Sequence, residues 1–526
     1  MKKSPRRPGI NQFAKAPQVG IPRSTFDRSH PYKTTFDSGN LIPVLVEEIL
    51  PGDSFRVRMN SFSRLATPIH PTLDNLYLES FFFFVPNRLV WDNWQKFMGE
   101  QDNPGDSTDF TVPLVDTVTP STENTIYDYF GLPMKTQISP NALPFRAYNL
   151  IWNEWFRDEN LQNSLTVEKG NGPDAVPLYA IRARGKRKDY LSSCLPWPQK
   201  GPGVDLPLGT VAPVFTTAGN GNPVGVSTGP GGTAGNGVEM NTDGAGTTVR
   251  QGFTAVTNGT ALMADLQNAT ASTINDLRMA FQIQKLQERD ARGGTRYTEI
   301  LKSHFQVTSP DARLQRPEYL GGGRTMIQMT QVPQTGGTQT GGTPPVPTPQ
   351  GNLSAYATAS TTNHGFTKSF VEHGFVIGLI SVRADLHHQY GLDRMWSRQT
   401  KYDYYWPALQ ALGEQPVYNR EIYNQGTAAD GEVWGYQERW AEYKTKLGKI
   451  TGVFRSNANQ TLDPWHYALS YESAPQLNAA WIEDKPPVKR TIADQTQPEF
   501  LFDAWFDIKA ARPMPVYSVP GYIDHF

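Results

Sequence analysis

The 526-residue chain contains one cysteine, Cys194. No intrachain disulfide can form, and a zinc site built from several thiolates is excluded. A chain of this size without disulfides fits assembly in a reducing cytoplasm. No run of about 18 apolar residues is present, so no membrane insertion is expected. The stretch from Met1 to Phe13 is basic and proline-bearing, with no apolar run behind it, so no secretory signal is expected. An excess of charge is missing too: 49 Lys and Arg face 50 Asp and Glu. That balance argues against a dedicated nucleic-acid-binding protein, which carries a large basic excess. Sequence suited to long regular helices is scarce, because 46 Gly and 42 Pro interrupt it. Many turns, loops and short strands are expected instead.

What the chain does have is aromatic mass, with 12 Trp, 22 Tyr and 26 Phe. Such residues suit a β-sandwich core and also interfaces. The average charge hides an asymmetry, since the first 33 residues hold eight Lys or Arg and one acid, Asp27. Residues 1–31 read as an extended basic arm, because Pro5, Pro8, Pro17, Pro22 and Pro31 oppose a helix. Strand signals follow. Phe55, Val57 and Met59 alternate with Ser54, Arg56 and Arg58, the period of a half-buried strand. Leu76 to Val85 is apolar on both faces near its end and predicts a covered, central strand. Lys368 to Leu386 reads as a strand region, with Phe375, Ile377 and Leu379 on one face and Val376 and Ile380 on the other. Phe500 to Ile508 is a late strand. Pro144 opens a helix carrying Phe145, Tyr148, Trp152, Trp155 and Phe156. A second helix starts at the Thr273–Asp276 cap, carries Ile274, Leu277 and Phe281, and stops at Gly293 and Gly294. Both aromatic stripes read as core packing.

Length alone suggests three or four domains of about 150 residues each. Strong strands nevertheless spread from about residue 41 to 508, which favours one large β-domain, residues 32–526, with long insertions. Two segments lose their aromatic residues and turn to Gly, Asn, Thr and Pro. They are a Gly-rich stretch within 201–251 and a Gly/Thr/Pro-rich loop at 330–352 with a five-residue tandem repeat. Neither can bury enough apolar area for a core, and both are expected as surface loops.

Catalytic motifs match on paper and fail in context. Gly225, Ser227 and Gly229 fit a nucleophile elbow, yet the following Gly-Pro-Gly-Gly cannot start the helix that elbow needs. Gly229, Gly231 and Ala234 fit a loose dinucleotide fingerprint without its strand and helix. His387 and His388 are adjacent and would point to opposite faces of a strand. No catalytic residue, metal ligand or cofactor is assigned. Aromatic-rich β-sandwiches include carbohydrate-binding and carbohydrate-cleaving proteins, so that reading stays open on composition.

Ordered blocks narrow it. Arg28 to Phe36 (RSHPYKTTF), Leu41 to Leu45 (LIPVL), Pro51 to Phe55 (PGDSF), Leu76 to Asn87 (LYLESFFFFVPN) and Leu89 to Glu100 (LVWDNWQKFMGE) come first. Asn149 to Phe156 (NLIWNEWF), Leu195 to Gly201 (LPWPQKG), Gln287 to Tyr297 (QERDARGGTRY) and Ser309 to Gly323 (SPDARLQRPEYLGGG) follow. Asp393 to Arg398 (DRMWSR), Tyr436 to Arg439 (YQER) and the tail from Ala511 to Phe526 complete the series. Together they resemble the gokushovirus branch of the Microviridae major capsid proteins, over nearly the whole chain outside the Gly-rich insertions.

The resemblance implies a mainly β fold, an eight-stranded antiparallel viral jelly roll with long loop and helical insertions. It implies a virion protein, assembled in the host bacterial cytoplasm, of which about sixty identical subunits close a T = 1 icosahedral shell. Packaged circular single-stranded DNA, other virion proteins and a host surface receptor are the implied partners. For DNA, the candidates are Lys2, Lys3, Arg6, Arg7, Lys15 and Arg23 in the arm and the cluster Arg182, Arg184, Lys186, Arg187 and Lys188. The family's surface protrusion, used in host attachment, is assigned to residues 201–251, with Gly219, Asn220, Asn222, Thr228, Asn236, Asn241 and Thr242 at its tip. Subunit contacts are assigned to Trp197, Trp434, Arg512, Tyr517, Tyr522 and Phe526.

Overall fold

In a computed structural model, residues 22–118, 123–204, 274–294, 297–306, 315–336 and 350–517 are described, with the backbone of short strands between 214 and 264 and between 339 and 347. The chain divides into two compact units, residues 1–198 with 295–526, and residues 199–294.

The first unit is built on nine strands: β1 (Ser24–Asp27), β2 (His30–Phe36), β3 (Ile42–Ile49), β4 (Ser54–Leu65), β5 (Leu76–Pro86), β6 (Glu318–Pro333), β7 (Leu353–Ser369), β8 (Gly374–Ala384) and β9 (Phe500–Arg512). All their pairings are antiparallel. One half of the sheet runs β2–β9–β4–β7, with β1 extending β2 along β9, and the other runs β3–β8–β5–β6. That interleaving of early and late strands is the double Greek key of a jelly roll. The halves join through β6, whose first part pairs with β5 and whose last part, from Gln328, pairs with β7.

Alternation fills the space between the halves. Phe55, Val57, Met59 and Leu65 of β4 and Phe500, Phe502, Phe506 and Ile508 of β9 point inward. They meet Leu78, Phe82 and Phe84 of β5 and Val376, Ile380 and Val382 of β8. The expected strand at 53–59 therefore exists and runs on to Leu65. The expected region at 368–386 is two strands, because the chain turns at residues 370–373. There Phe370 N–H donates to the Asp53 carbonyl at 2.8 Å, and the Phe370 carbonyl accepts from Gly52 N–H at 2.9 Å.

β5 and β8 are covered on their second face as well. Phe83 and Val85 with Phe375, Ile377 and Leu379 pack under a layer from the β5–β6 connection. That layer holds Trp91, Val115, Tyr127 and helix α1 (Leu143–Ile151), with Phe145, Tyr148 and Ile151 facing the sheet. Pro144 sits in the first turn of α1, where its missing N–H costs no helical bond. The helix then widens through Trp152 to Phe156. The Leu-Gly-Gly-Gly run of β6 lies where it slips register against β5. A Cβ on Gly322 would stand 2.0 Å from the Ser80 carbonyl oxygen, so only glycine lets the two backbones approach there.

The β8–β9 connection, residues 385–499, supplies a third core. Val417, Ile422, Trp434, Trp481 and Ile482 pack around Tyr190, Leu191 and Cys194. Burial raises the Cys194 thiol well above its usual range, so it stays protonated and unreactive.

Within the second unit, Val214–Thr216 pairs with Leu262–Ala264, and Val224–Val226, Gly237–Thr242 and Val249–Val256 form an antiparallel sheet. The Gly-rich segment thus carries short strands where loop was expected. Val224 and Val226, and Val249 with Phe253, supply enough β-preference for that. Helix α2 (Ile274–Gly293) ends where expected, with Gly294 at φ 101°. Its stripe does not pack into a core: Leu277 is 38% and Phe281 61% exposed.

A buried ion pair braces the cover layer. Arg146, fully buried in α1, grips Asp174 with two bonds of 2.7 and 2.6 Å and donates to the Val90 and Gly170 carbonyls. Arg146→Met strands a buried carboxylate and is expected to cost about 3–5 kcal/mol. The reading is a lower denaturant midpoint for the unassembled chain, and an unchanged midpoint would remove the pair from this role.

Candidate nucleic-acid and subunit interfaces

The predicted basic cluster is an internal brace. Arg184 pairs with Glu79 at 2.5 Å beneath the Phe81 and Phe156 rings. Lys186 is buried and donates to the Trp481 carbonyl and, at 2.7 Å, to that of Glu483. Arg187 binds Asp385 at 2.8 Å, and Lys188 binds Asp158 and the Ser192 carbonyl. Arg182 is partly buried, and its N–H donates to the Tyr148 hydroxyl at 3.0 Å. Lys186 and Arg187 tie the segment at 182–188 to the β8–β9 connection, and Arg184 ties it to β5. Each of the four cations from Arg184 to Lys188 has partners inside the chain, Lys186 buried and Lys188 still 58% exposed. Spacing showed the charges, but their partners are distant in sequence: the Asp385 carboxylate lies 198 residues from Arg187 and the Glu483 carbonyl 297 from Lys186.

The other assignments divide. Lys2, Lys3, Arg6, Arg7 and Lys15 lie outside the described residues, as do Gly219, Asn220, Asn222, Thr228, Asn236, Tyr522 and Phe526. Arg23 is described, and its guanidinium donates to Ser54 Oγ at 2.6 Å. Asn241 and Thr242 lie on Gly237–Thr242, opposite Arg250 and Val249. Trp197 is partly buried. Trp434 is corrected as a subunit contact, because it lies in this chain's own core, edge-on to Trp481, with its indole N–H on the Pro475 carbonyl at 2.8 Å. Arg512 lies on its own subunit, donating to the Glu48 carbonyl at 2.7 Å. Tyr517 is fully presented, 84% exposed.

Two surfaces were not predicted. The first sits on short turns of the β8–β9 connection, where Met395, Trp396, Tyr402, Tyr404 and Trp406 are all exposed. Arg398 stands 4.2 Å over the Tyr443 ring and bonds Glu442 at 3.1 Å. Trp396 alone is 67% exposed. The run from Trp396 to Trp406 contains five aromatic residues in irregular spacing, the one sequence signal that marked it.

The second is the outer face of the β2–β9–β4–β7 half. The alternation that sends Phe55, Val57 and Met59 inward sends Arg56, Arg58, Asn60, Phe62 and Arg64 outward. On β9 the outward set is Leu501, Asp503, Trp505, Asp507 and Lys509. Register puts Phe62 opposite Asp503, Trp505 opposite Asn60, and Arg58 opposite Asp507. Phe62 is 51% and Trp505 50% exposed. Lys33 neutralises Asp503 at 2.8 Å, Arg56 reaches Asp507 at 3.5 Å, and Lys509 holds Asp27 at 2.5 Å. The Lys509 bond is the main cause that keeps the Asp27 carboxyl ionised, well below the usual range. Arg58 and Arg64 have no ion-pair or hydrogen-bond partner among the described residues. An open depression borders this face, lined by Lys33, Phe62, Arg64 and Leu501 together with Glu123, Asp128 and Asp494.

Nothing in the described residues gathers catalytic chemistry. His388 bonds Asp189 at 3.0 Å while His387 turns to Asp74 at 3.7 Å, and no group of three His, Cys, Asp or Glu side chains could hold a metal there. No helix among the described residues is long and apolar enough to cross a membrane.

Comparison with known proteins agrees with this picture. Residues 14–522 match the family described as "Capsid protein (F protein)". The chain is 47% identical to capsid protein VP1 of Bdellovibrio phage phiMH2K, over 98% of each chain. It is 42% identical to capsid protein VP1 of Chlamydia phage 1 over 99% of each, and 38% identical to that of Spiroplasma virus 4 over 97% of each.

Lys186 supplies a test of the brace. Burial lowers its ammonium to about 8, from an ordinary 10.5. Between those values the unfolded chain still binds a proton that the folded chain has released, so the lysine's contribution to stability rises with pH across that window. Wild type should gain stability relative to Lys186→Met between pH 8 and 10, measured by denaturant unfolding at each pH. A difference independent of pH would mean that the ammonium is solvated.

Proposed function

Because the chain belongs to the F-type capsid protein family, a structural protein of Microviridae virions and not an enzyme, we propose that about sixty copies close a T = 1 icosahedral shell around circular single-stranded DNA. The observation that carries self-association is the exposed aromatic surface from Met395 to Trp406. Trp, Tyr and Arg dominate the energetically important parts of protein interfaces, and the Tyr404 and Tyr443 rings beside Arg398 are of that kind. Each contact can be weak, because many contacts close a shell together. The exposed Tyr517 and the tail beyond it are a second contact. Assembly takes place in the host bacterial cytoplasm, with other virion proteins taking part.

Family membership replaces the carbohydrate reading, which rested on composition alone. The basic arm, with Lys2, Lys3, Arg6, Arg7, Lys15 and Arg23, neutralises packaged DNA without reading bases. Residues 201–251 are the surface protrusion that meets a host receptor. Their low apolar content and position between two family-like blocks support that role.

Expression of the full chain with its virion partners should give uniform megadalton particles holding nuclease-protected circular single-stranded DNA. A stable monomer under those conditions would overturn the reading. Trp396→Ala with Trp406→Ala should leave the monomer's melting temperature within a few degrees and reduce particle yield at least about tenfold, as expected for two interface anchors. Unchanged yield would move the interface elsewhere. Deleting residues 219–246 should leave particles intact and impair infection, scored by adsorption to host cells. Loss of assembly with a folded monomer would reject the attachment role.

A further inference from the structure

We propose that the outer face of the β2–β9–β4–β7 half is a stacking platform for unpaired bases of the packaged strand. This rests on the reading that the shell encloses single-stranded DNA. The argument begins with cost. A sheet face with Phe62, Trp505, Leu501 and Tyr356 all more than 40% exposed leaves large apolar area in water. Its occupant must tolerate charge in the patch, since on the same face Arg64 lies two residues from Phe62 and Arg58 four, with Asn60 between Arg58 and Phe62. Protein interface cores are depleted of charged residues, whereas single-stranded nucleic acid asks for aromatic faces beside cations.

The charges on the face are sorted accordingly. Its three acids, Asp27, Asp503 and Asp507, are each held by a cation. Arg58 and Arg64 are left over, so the net unpaired charge is positive. Phe62 and Trp505 lie on neighbouring strands in a diagonal relation, since Trp505 opposes Asn60. Such positions stand about 7–8 Å apart, within reach of adjacent bases, and the two arginines border the same line. Asn60 and Ser360 add uncharged polar groups. The basic arm also enters at this half: β1 pairs with the end of β9, Ser24 opposite Arg512. Arg23 of the arm therefore lies at the sheet that carries the platform, its guanidinium donating to Ser54 Oγ of β4. Stacking is tolerant of sequence, which suits a coat that must cover a whole genome.

The test uses full-length protein and particles. A fluorescent thymidine oligonucleotide of about ten nucleotides is titrated onto unassembled full-length chains, and nuclease-protected DNA is measured per particle. Phe62→Ala and Trp505→Ala should each weaken oligonucleotide binding about fivefold or more and lower the DNA content of sedimenting particles. Arg58→Gln with Arg64→Gln, which leaves the rings in place, should reduce the salt slope of binding by about 1.4. Phe62→Tyr should retain binding. Wild-type affinity and DNA content in the alanine variants would overturn the platform. So would loss of particles with folded chains, which would make the face a contact between copies of this chain. Wild-type particles devoid of DNA would instead reject the packaging reading itself.

Discussion

Burial of β5 and β8 on both faces is the constraint on which the rest of the fold depends. Every residue of β8 from Gly374 to Ala384 is buried, and β5 carries four consecutive phenylalanines. A strand of that kind needs a second sheet on one side and a separate layer on the other. The β2–β9–β4–β7 half supplies the first and the β5–β6 connection the second. The Arg146–Asp174 pair locks the cover layer from within, so its position is set by a directional bond as well as by apolar contact.

The same constraint sorts the charged residues. On the covered sheet, Glu79 of β5 and Arg383 of β8 with Arg184 and Asp484 neutralise one another, since they are largely buried. Burial raises the Asp484 carboxyl, with Arg383 the main opposing charge. The outer sheet face has no such cover in a single chain, and its cations stay in water.

Much of the framework was legible along the chain. Period-two alternation marked β4, the doubly apolar run marked β5, and the two face sets of β8 were separated correctly, because a strand's side chains alternate whatever its partner. Pro144 and Gly293 with Gly294 marked helix ends, since they act through local backbone geometry. The turn at 370–373 was missed because Phe370 and Val371 continue the apolar run and no Gly or Pro breaks it before Gly374. The stripe on α2 misled, because spacing tells which residues share a face and not whether anything covers that face.

The amino-acid sequence by itself determined β4, β5, β8 and β9, the absence of intrachain disulfides and, through ordered blocks, the capsid family. These are properties of local periodicity, composition and shared ancestry. Only the tertiary structure decided that the cluster from Arg184 to Lys188 is an internal brace, that Trp434 is core, and that Phe62, Trp505, Arg58 and Arg64 share one open face. Those outcomes depend on pairings across hundreds of residues, and solvent exclusion at those pairings decides whether a charge is neutralised inside the chain or left for a partner.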